Sequence, residues 1–251
     1  MNHEVISHRD SFDLLISKLL KGKPFTFTRF GDGDYIIMYP DKLNKIVGSS
    51  NQFKVTKNLQ REIAECHNIQ HENFLIGSIL NDRSAYAMKG FNTRVNQNKL
   101  PSLIEHEELL AMSCLQEMLL VDPEKFLEFP REMQKTSTML VGSYNHDNLS
   151  KIFGDVDIFI EVPQRNCYSS IEAWYNRILE NKHKVGKIVL AAGFSSRVIA
   201  KRLWQSEDII IDVGSLGDMF VLDKVDIPLR THIQRGRKHI NENVSRVLSS
   251  L

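Results

Sequence analysis

Four short runs in the second half of the chain limit the fold more than any other feature. They are Thr138–Ser143 (TMLVGS), Asp157–Val162 (DIFIEV), Lys187–Ala192 (KIVLAA) and Ile209–Val213 (IIIDV), and each is largely apolar. A strand that is apolar on both faces must be covered on both, as in a parallel sheet between helical layers. Helical patterns separate the runs. Asn148–Phe153 is short, Ser169–Glu180 carries Ile171, Trp174, Tyr175, Ile178 and Leu179, and Ser196–Trp204 follows the third run. Pro163 stops the second strand. The alternation predicts an α/β fold: a single Rossmann-like domain, its sheet mostly parallel, with helices on both faces.

The first half fits the same plan less regularly. Ser11–Leu20 repeats Phe12, Leu15, Ile16, Leu19 and Leu20 at helical spacing, with Ser11 or Asp10 as cap and Gly22 and Pro24 after its end. Pro24–Thr28 predicts a strand, Val55–Cys66 a helix with Leu59, Ile63 and Ala64 on one face, and Asn73–Leu80 a strand. Residues 81–101 are polar, hold Gly90 and several asparagines, and predict a loop or insertion over the site. Leu103–Val121 reads as one long helix whose stripe, Leu109 to Leu119, is core. Pro123 and Pro130 bracket a short piece beyond it. The expected layout is a core over about 23–222, a polar insertion over about 81–136 and a basic tail over 228–251.

Composition narrows the function classes. The chain has 251 residues, enough for one large core, and its 32 basic and 31 acidic residues leave a net charge of +1. That balance gives no support to a nucleic-acid partner. No uncharged apolar run is long enough to span a bilayer, and Met1–Val5 lacks the basic-then-apolar pattern of a signal peptide. Cys66, Cys114 and Cys167 are odd in number and far apart, which argues for a reducing, cytoplasmic setting.

The chemistry concentrates in Arg29-Phe30-Gly31-Asp32-Gly33-Asp34, directly after a strand. Two glycines let the backbone turn and approach a ligand, and two carboxylates one residue apart can converge on a hard cation. Arg29 adds a planar fork suited to phosphate. The same residues also suit a plain tight turn. Two further loops follow strands. Gly193-Phe194-Ser195-Ser196-Arg197 opens a helix, where hydroxyls and free amides bind phosphate or merely cap the helix. In Asp212-Val213-Gly214-Ser215-Leu216-Gly217-Asp218, Asp212 could meet a ribose and Asp218 act as base or metal ligand, or the segment is a turn.

Taken in order, these blocks resemble a family. Phe27–Asp34 is similar to the Arg-Phe-Gly-Asp-Gly-Glu signature of the GT-D fold glycosyltransferases, first filed as a domain of unknown function. Pro163-Gln164-Arg165-Asn166, Ala192–Ser196 and Ile211–Ser215 resemble later blocks of that family in the same order. The likeness runs from Phe25 to Phe220 and is weakest between Asn81 and Thr136. It implies a GT-D type Rossmann-like sheet, a nucleotide-sugar donor such as a UDP-hexose, and a divalent cation (manganese or magnesium). It further implies an acidic Asp-x-Glu motif, which falls here on Asp32 and Asp34. Position 34 is Asp where the family has Glu. The Asp212 block has one extra residue before its second acid, and Phe-Ser-Ser stands where smaller or Pro-Thr residues are common.

On that reading Asp32 and Asp34 hold the metal. Arg29, Phe30, Gly31, Gly193, Ser195, Ser196, Asp212, Gly214 and Arg230 line the nucleotide site, and Asp218 is the base, with Glu161 second. The acceptor is a glycan, a glycoprotein or a lipid-linked sugar. Arg230, His232, Arg235, Arg237, Lys238 and His239 form a basic stretch, expected to be solvated or to touch a membrane surface peripherally. Two rivals stand beside this. A serine hydrolase would use Ser195, Asp218 and His232, in the right chain order but with Arg197 where the elbow needs glycine. A nucleotide-binding module without catalysis is the other. His67 and His71, four apart, lack the adjacent Glu of a zinc protease and predict a solvated helix face.

Overall fold

The computed structural model of the protein describes residues 4–39, 55–79, 106, 108–221 and 231–251. Its centre is a sheet of strands β1 (Glu4–Val5), β2 (Phe25–Phe30), β3 (Phe74–Ser78), β4 (Glu108–Ala111), β5 (Thr138–Gly142), β6 (Val156–Glu161), β7 (Lys187–Ala191) and β8 (Ile209–Asp212). The order is β1-β4-β3-β2-β8-β7-β5-β6, and every neighbouring pair runs parallel.

Helices cover both faces, as strands buried on both sides require. One layer holds α2 (Asp32–Met38), α3 (Lys57–His67), α8 (Ile171–Asn181) and α9 (Ser195–Leu203), whose apolar sides share one core with Phe30, Ile76 and Leu190. The other face carries α1 (His8–Lys21), α4 (Cys114–Val121), α5 (Pro123–Phe126), α6 (Glu128–Met133), α7 (Asp147–Phe153), α10 (Leu216–Phe220) and α11 (Thr231–Ser249). The chain leaves β2 toward the first layer and β8 toward the second. Adjacent parallel strands whose connections part in this way make the switch-point crevice where α/β sheets bind ligands.

Several expectations change. Ser7, not Ser11 or Asp10, caps α1: its hydroxyl accepts the Asp10 amide, and the Ser11 hydroxyl accepts the Ala111 amide instead. From Glu108 on, where the residues are described, the expected long helix over Leu103–Val121 is a strand followed by a helix. Leu109, Leu110, Met112 and Leu115 fit either period over so short a run, and β4 wins by pairing with both β1 and β3. Residues 108–136 are therefore no insertion, since Leu110, Leu115, Phe126, Phe129 and Met133 are core. The core also starts before residue 23, with Phe12 and Leu15 fully buried. The expected loop over 81–101 lies outside the described residues. The tail is helix α11, which buries Ile240, Val244 and Val247 and donates from Asn243 to the Leu119 and Leu120 carbonyls. Among the described residues no helix is long and apolar enough to cross a membrane.

His67 corrects the reading of a solvated face. It is 1% exposed, its ring edge-on to Phe30 at 4.8 Å, with Nε2 3.2 Å from the Tyr35 hydroxyl. Burial, aided by the nearby His106, pushes its imidazole down to about 3. The unfolded chain takes up this proton near pH 6.5 and the folded chain does not. His67 therefore supports the fold fully above pH 6.5, and that support drains away toward pH 3 at about 1.4 kcal/mol per pH unit. Urea midpoints measured from pH 7 to 4 are expected to fall more steeply for the wild type than for His67→Gln. Parallel slopes would contradict the assignment.

Candidate active site at the carboxyl edge of the sheet

All the loops singled out in the sequence and described in the structure leave the carboxyl ends of strands, so they share one edge. Arg29, next to last in β2, is buried. Its Nε donates to the Met112 carbonyl at 2.7 Å and its Nη1 to the Val213 carbonyl at 2.6 Å. It thus ties the loop after β4 to the loop after β8, across β2. This committed geometry departs from the open phosphate fork expected of it. Gly214 is glycine for the same reason: it sits at φ +52°, and a Cβ there would lie 2.3 Å from Arg29 Nη1. Phe30 is fully buried, so only its backbone can face a ligand.

The signature loop turns directly into α2. Gly31 is the cap residue, and the Asp34 carboxylate reaches back to its amide, Oδ2 to N 2.8 Å. This is the return half of a capping box. The same Oδ2 accepts from Arg197 Nη2 at 3.0 Å. Arg197 Nη1 pairs with Asp212 Oδ2 at 3.0 Å and donates to the Gly193 carbonyl at 2.8 Å. One guanidinium therefore braces the loops after β2, β7 and β8. The ribose role expected of Asp212 meets a fully buried side chain, with Oδ1 accepting the Gly214 amide at 3.0 Å. Burial lifts the Asp34 carboxyl to about 6, against the opposing pull of Arg197, so desolvation outweighs the ion pair.

The Gly193 loop differs from expectation in its hydroxyls. Ser196 Oγ accepts the Ala192 amide at 3.0 Å, and Ser195 Oγ meets Cys167 Sγ at 3.1 Å. Both serines are inside, 1% or less exposed, so neither offers a hydroxyl to solvent. A nucleophile elbow needs an exposed Oγ, so the hydrolase reading fails at Ser195. The side chain of His232 lies outside those described, and Arg230 lies outside the described residues altogether. Phe194, half-buried, lays its ring on the signature loop: a Cβ at Gly33 would lie 2.8 Å from its Cζ. Gly33 is the residue that lets the two loops touch.

Asp218 is partly exposed on α10 and accepts a hydrogen bond from the Tyr144 hydroxyl, which comes from the loop after β5. Beside that loop a cleft of about 410 Å³ opens between Ser143, Glu161, Val162, Pro163, Gln164 and Arg177. It joins Glu161, the second base candidate, to the Pro163–Asn166 block. Sequence reasoning missed Arg197, Tyr144 and the seat of Phe194. Arg197 left one trace: a cation in the first turn of a helix opposes the helix dipole unless carboxylates hold it there.

A divalent cation does not fit Asp32 and Asp34 as a pair. Among the described residues no group of three or more His, Cys, Asp or Glu side chains is placed to hold a metal. Asp34 Oδ2 already serves an amide and a guanidinium, which leaves only Oδ1; that atom is enclosed, as is Oδ2 of Asp32. Asp32, with Oδ1 accepting the Gly33 amide, suits a cation that binds through one carboxylate and substrate phosphates.

No family model matches the chain, and no curated protein matches it by sequence. Solved structures do match its fold. One, described as "A New Glycosyltransferase (DUF1792) from Streptococcus sanguinis", has a TM-score of 0.69 at 17% identity, covering 91% of this chain and 88% of that one. Another, described as "The highly conserved domain of unknown function 1792 has a distinct glycosyltransferase fold", has a TM-score of 0.67 at 12% identity, covering 93% and 94%. The parallel sheet, its two helical layers and the loops gathered at its carboxyl edge are thus the fold of the DUF1792 glycosyltransferases.

Proposed function

We propose that the protein is a glycosyltransferase that moves a hexose from a nucleoside-diphosphate sugar, UDP-linked in the first instance, to a glycan, glycoprotein or lipid-linked acceptor. The observation that carries the reading is the meeting of the Arg29–Asp34, Gly193 and Asp212 loops at the switch point of this fold. Its place would be the cytoplasm, with the basic stretch before residue 240 touching a membrane when the acceptor is lipid-linked.

Transfer from a nucleoside diphosphate demands stabilisation of charge on the departing diphosphate. A manganese or magnesium ion carried by Asp32 would supply it when bound. Arg29 and Arg197 act from beneath, holding the loop backbones in place and contributing positive potential without giving up their present bonds. Phe194 seats over Gly33 and keeps water from that side of the loop. Asp218 takes the proton from the acceptor hydroxyl, with Tyr144 fixing the orientation of its carboxylate.

Because a ligand that binds only the folded state raises its melting temperature, UDP with manganese at a hundred times its dissociation constant stabilises by about 2.7 kcal/mol. For a chain of this size that is a shift of roughly 5–10 °C. UDP-hexose with manganese should also release UDP slowly in the absence of acceptor. No shift with any nucleoside diphosphate at millimolar concentration would end the donor-site reading. A shift without turnover would favour the non-catalytic module.

A further inference from the structure

We infer that Arg197 is the resident counter-ion of Asp34, and that Asp34 is a positioning residue of the signature loop and not a ligand of the metal. For the metal and nucleotide it refers to, the inference rests on the glycosyltransferase reading, while the ion pair stands on its own geometry. Asp34 is 2% exposed. Its Oδ2 lies between the Gly31 amide at 2.8 Å and Arg197 Nη2 at 3.0 Å. The other arm of the guanidinium is fixed by the Gly193 carbonyl at 2.8 Å and by Asp212 at 3.0 Å. A planar fork gripping two carboxylates and a carbonyl is a geometry lysine cannot copy.

The pair explains the short acid in the signature. An aspartate at the third position of α2 reaches its own cap amide, and the positive partner comes to it from α9. No longer side chain is needed to reach outward to a cation. What the pair fixes is the start of α2 relative to β8 and α9, and Asp32 stands between its two ends, Gly31 and Asp34. Asp34 therefore acts through the backbone it holds.

The test uses near-isosteric changes. Manganese affinity is measured by the electron paramagnetic resonance of free Mn²⁺, with UDP at saturation, for the wild type, Asp34→Asn and Asp32→Asn. Because the introduced side-chain oxygen still accepts the Gly31 amide and keeps the turn, Asp34→Asn is expected to change the dissociation constant by less than about threefold, whereas loss of a direct ligand takes a charged oxygen from the ion and weakens binding far more. A tenfold weakening in Asp34→Asn overturns the inference. Asp32→Asn reports separately on the donor site: an unchanged affinity there removes Asp32 from the proposed mechanism and leaves the Asp34 assignment standing.

Melting temperatures supply the arm that needs no ligand. Arg197→Met leaves two buried carboxylates without a cation, and adding Asp34→Asn removes one of them. The double variant should melt no lower than Arg197→Met alone. A double variant that melts lower by the full effect of Asp34→Asn overturns the inference. If Arg197→Met does not fold, Arg197→Lys replaces it: the ammonium keeps part of the pair, so adding Asp34→Asn should cost clearly less than it costs in the wild type, and a full additive loss overturns the inference. A wild type that binds no manganese in the presence of UDP ends the donor reading, and the melting cycle still decides the pair.

Discussion

Arg197→Met is expected to cost about 3–5 kcal/mol of folding stability, the usual effect of removing one member of a buried ion pair and stranding the other. Two carboxylates are stranded here. Asp212 is fully buried and Asp34 nearly so, and each lies 3.0 Å from the guanidinium. The hydrogen bond to the Gly193 carbonyl is lost with them. Urea unfolding at pH 7.5 measures the loss. Arg197→Lys should fall between the wild type and Met, because one ammonium keeps the charge but cannot grip both acids. A loss below about 1 kcal/mol for Arg197→Met would match a solvated surface pair and contradict the buried brace.

Asp218→Asn is expected to lower kcat for transfer by about 10²–10⁴, the span of a positioned general base, with little change in donor KM. The amide keeps the shape of the carboxylate and can still accept from Tyr144, so the fold should hold. Tyr144→Phe removes the hydrogen bond and leaves the base in place, and a smaller loss, on the order of tenfold, is expected. Initial rates at saturating acceptor decide. An Asp218→Asn enzyme within tenfold of wild type would move the role to Glu161 in the neighbouring cleft.

Strands β5, β7 and β8 were legible because the sheet buries them on both sides, and a run such as IIIDV has no other stable use; β6, at the edge, keeps its apolar residues only partly buried. The carboxyl-edge loops were legible for a related reason: glycines and acids after a strand stand out against an apolar background. Leu109–Ala111 was not, since three apolar residues in a row fit a helix stripe as well as a strand, and only pairing with β1 and β3 settles the choice. The partners of Asp34 and Arg29 were invisible for want of range. Nothing local to Asp34 points to Arg197, 163 residues away. Nothing local to Arg29 points to the Val213 carbonyl, 184 residues away. His67 was misplaced because four-residue spacing tells only which face two histidines share, and helix α3 ends at the first of them.

Those long separations bear on the order in which the chain can become itself. During synthesis at about 5–20 residues per second, Arg29 and Asp34 leave the ribosome roughly 8–40 seconds before Val213 and Arg197. Until then β2 has no β8 to lie against, Arg29 lacks the Val213 carbonyl and Asp34 lacks its guanidinium. A lone N-terminal half would have to expose an unfinished sheet edge or bury unpaired charge, and both are costly. The brace at the carboxyl edge thus doubles as a check on completeness: β2 gains its second strand neighbour and Asp34 its guanidinium only after the second half arrives. Nascent chains stalled before residue 197 should stay open to protease, and chains stalled beyond α10 should resist it.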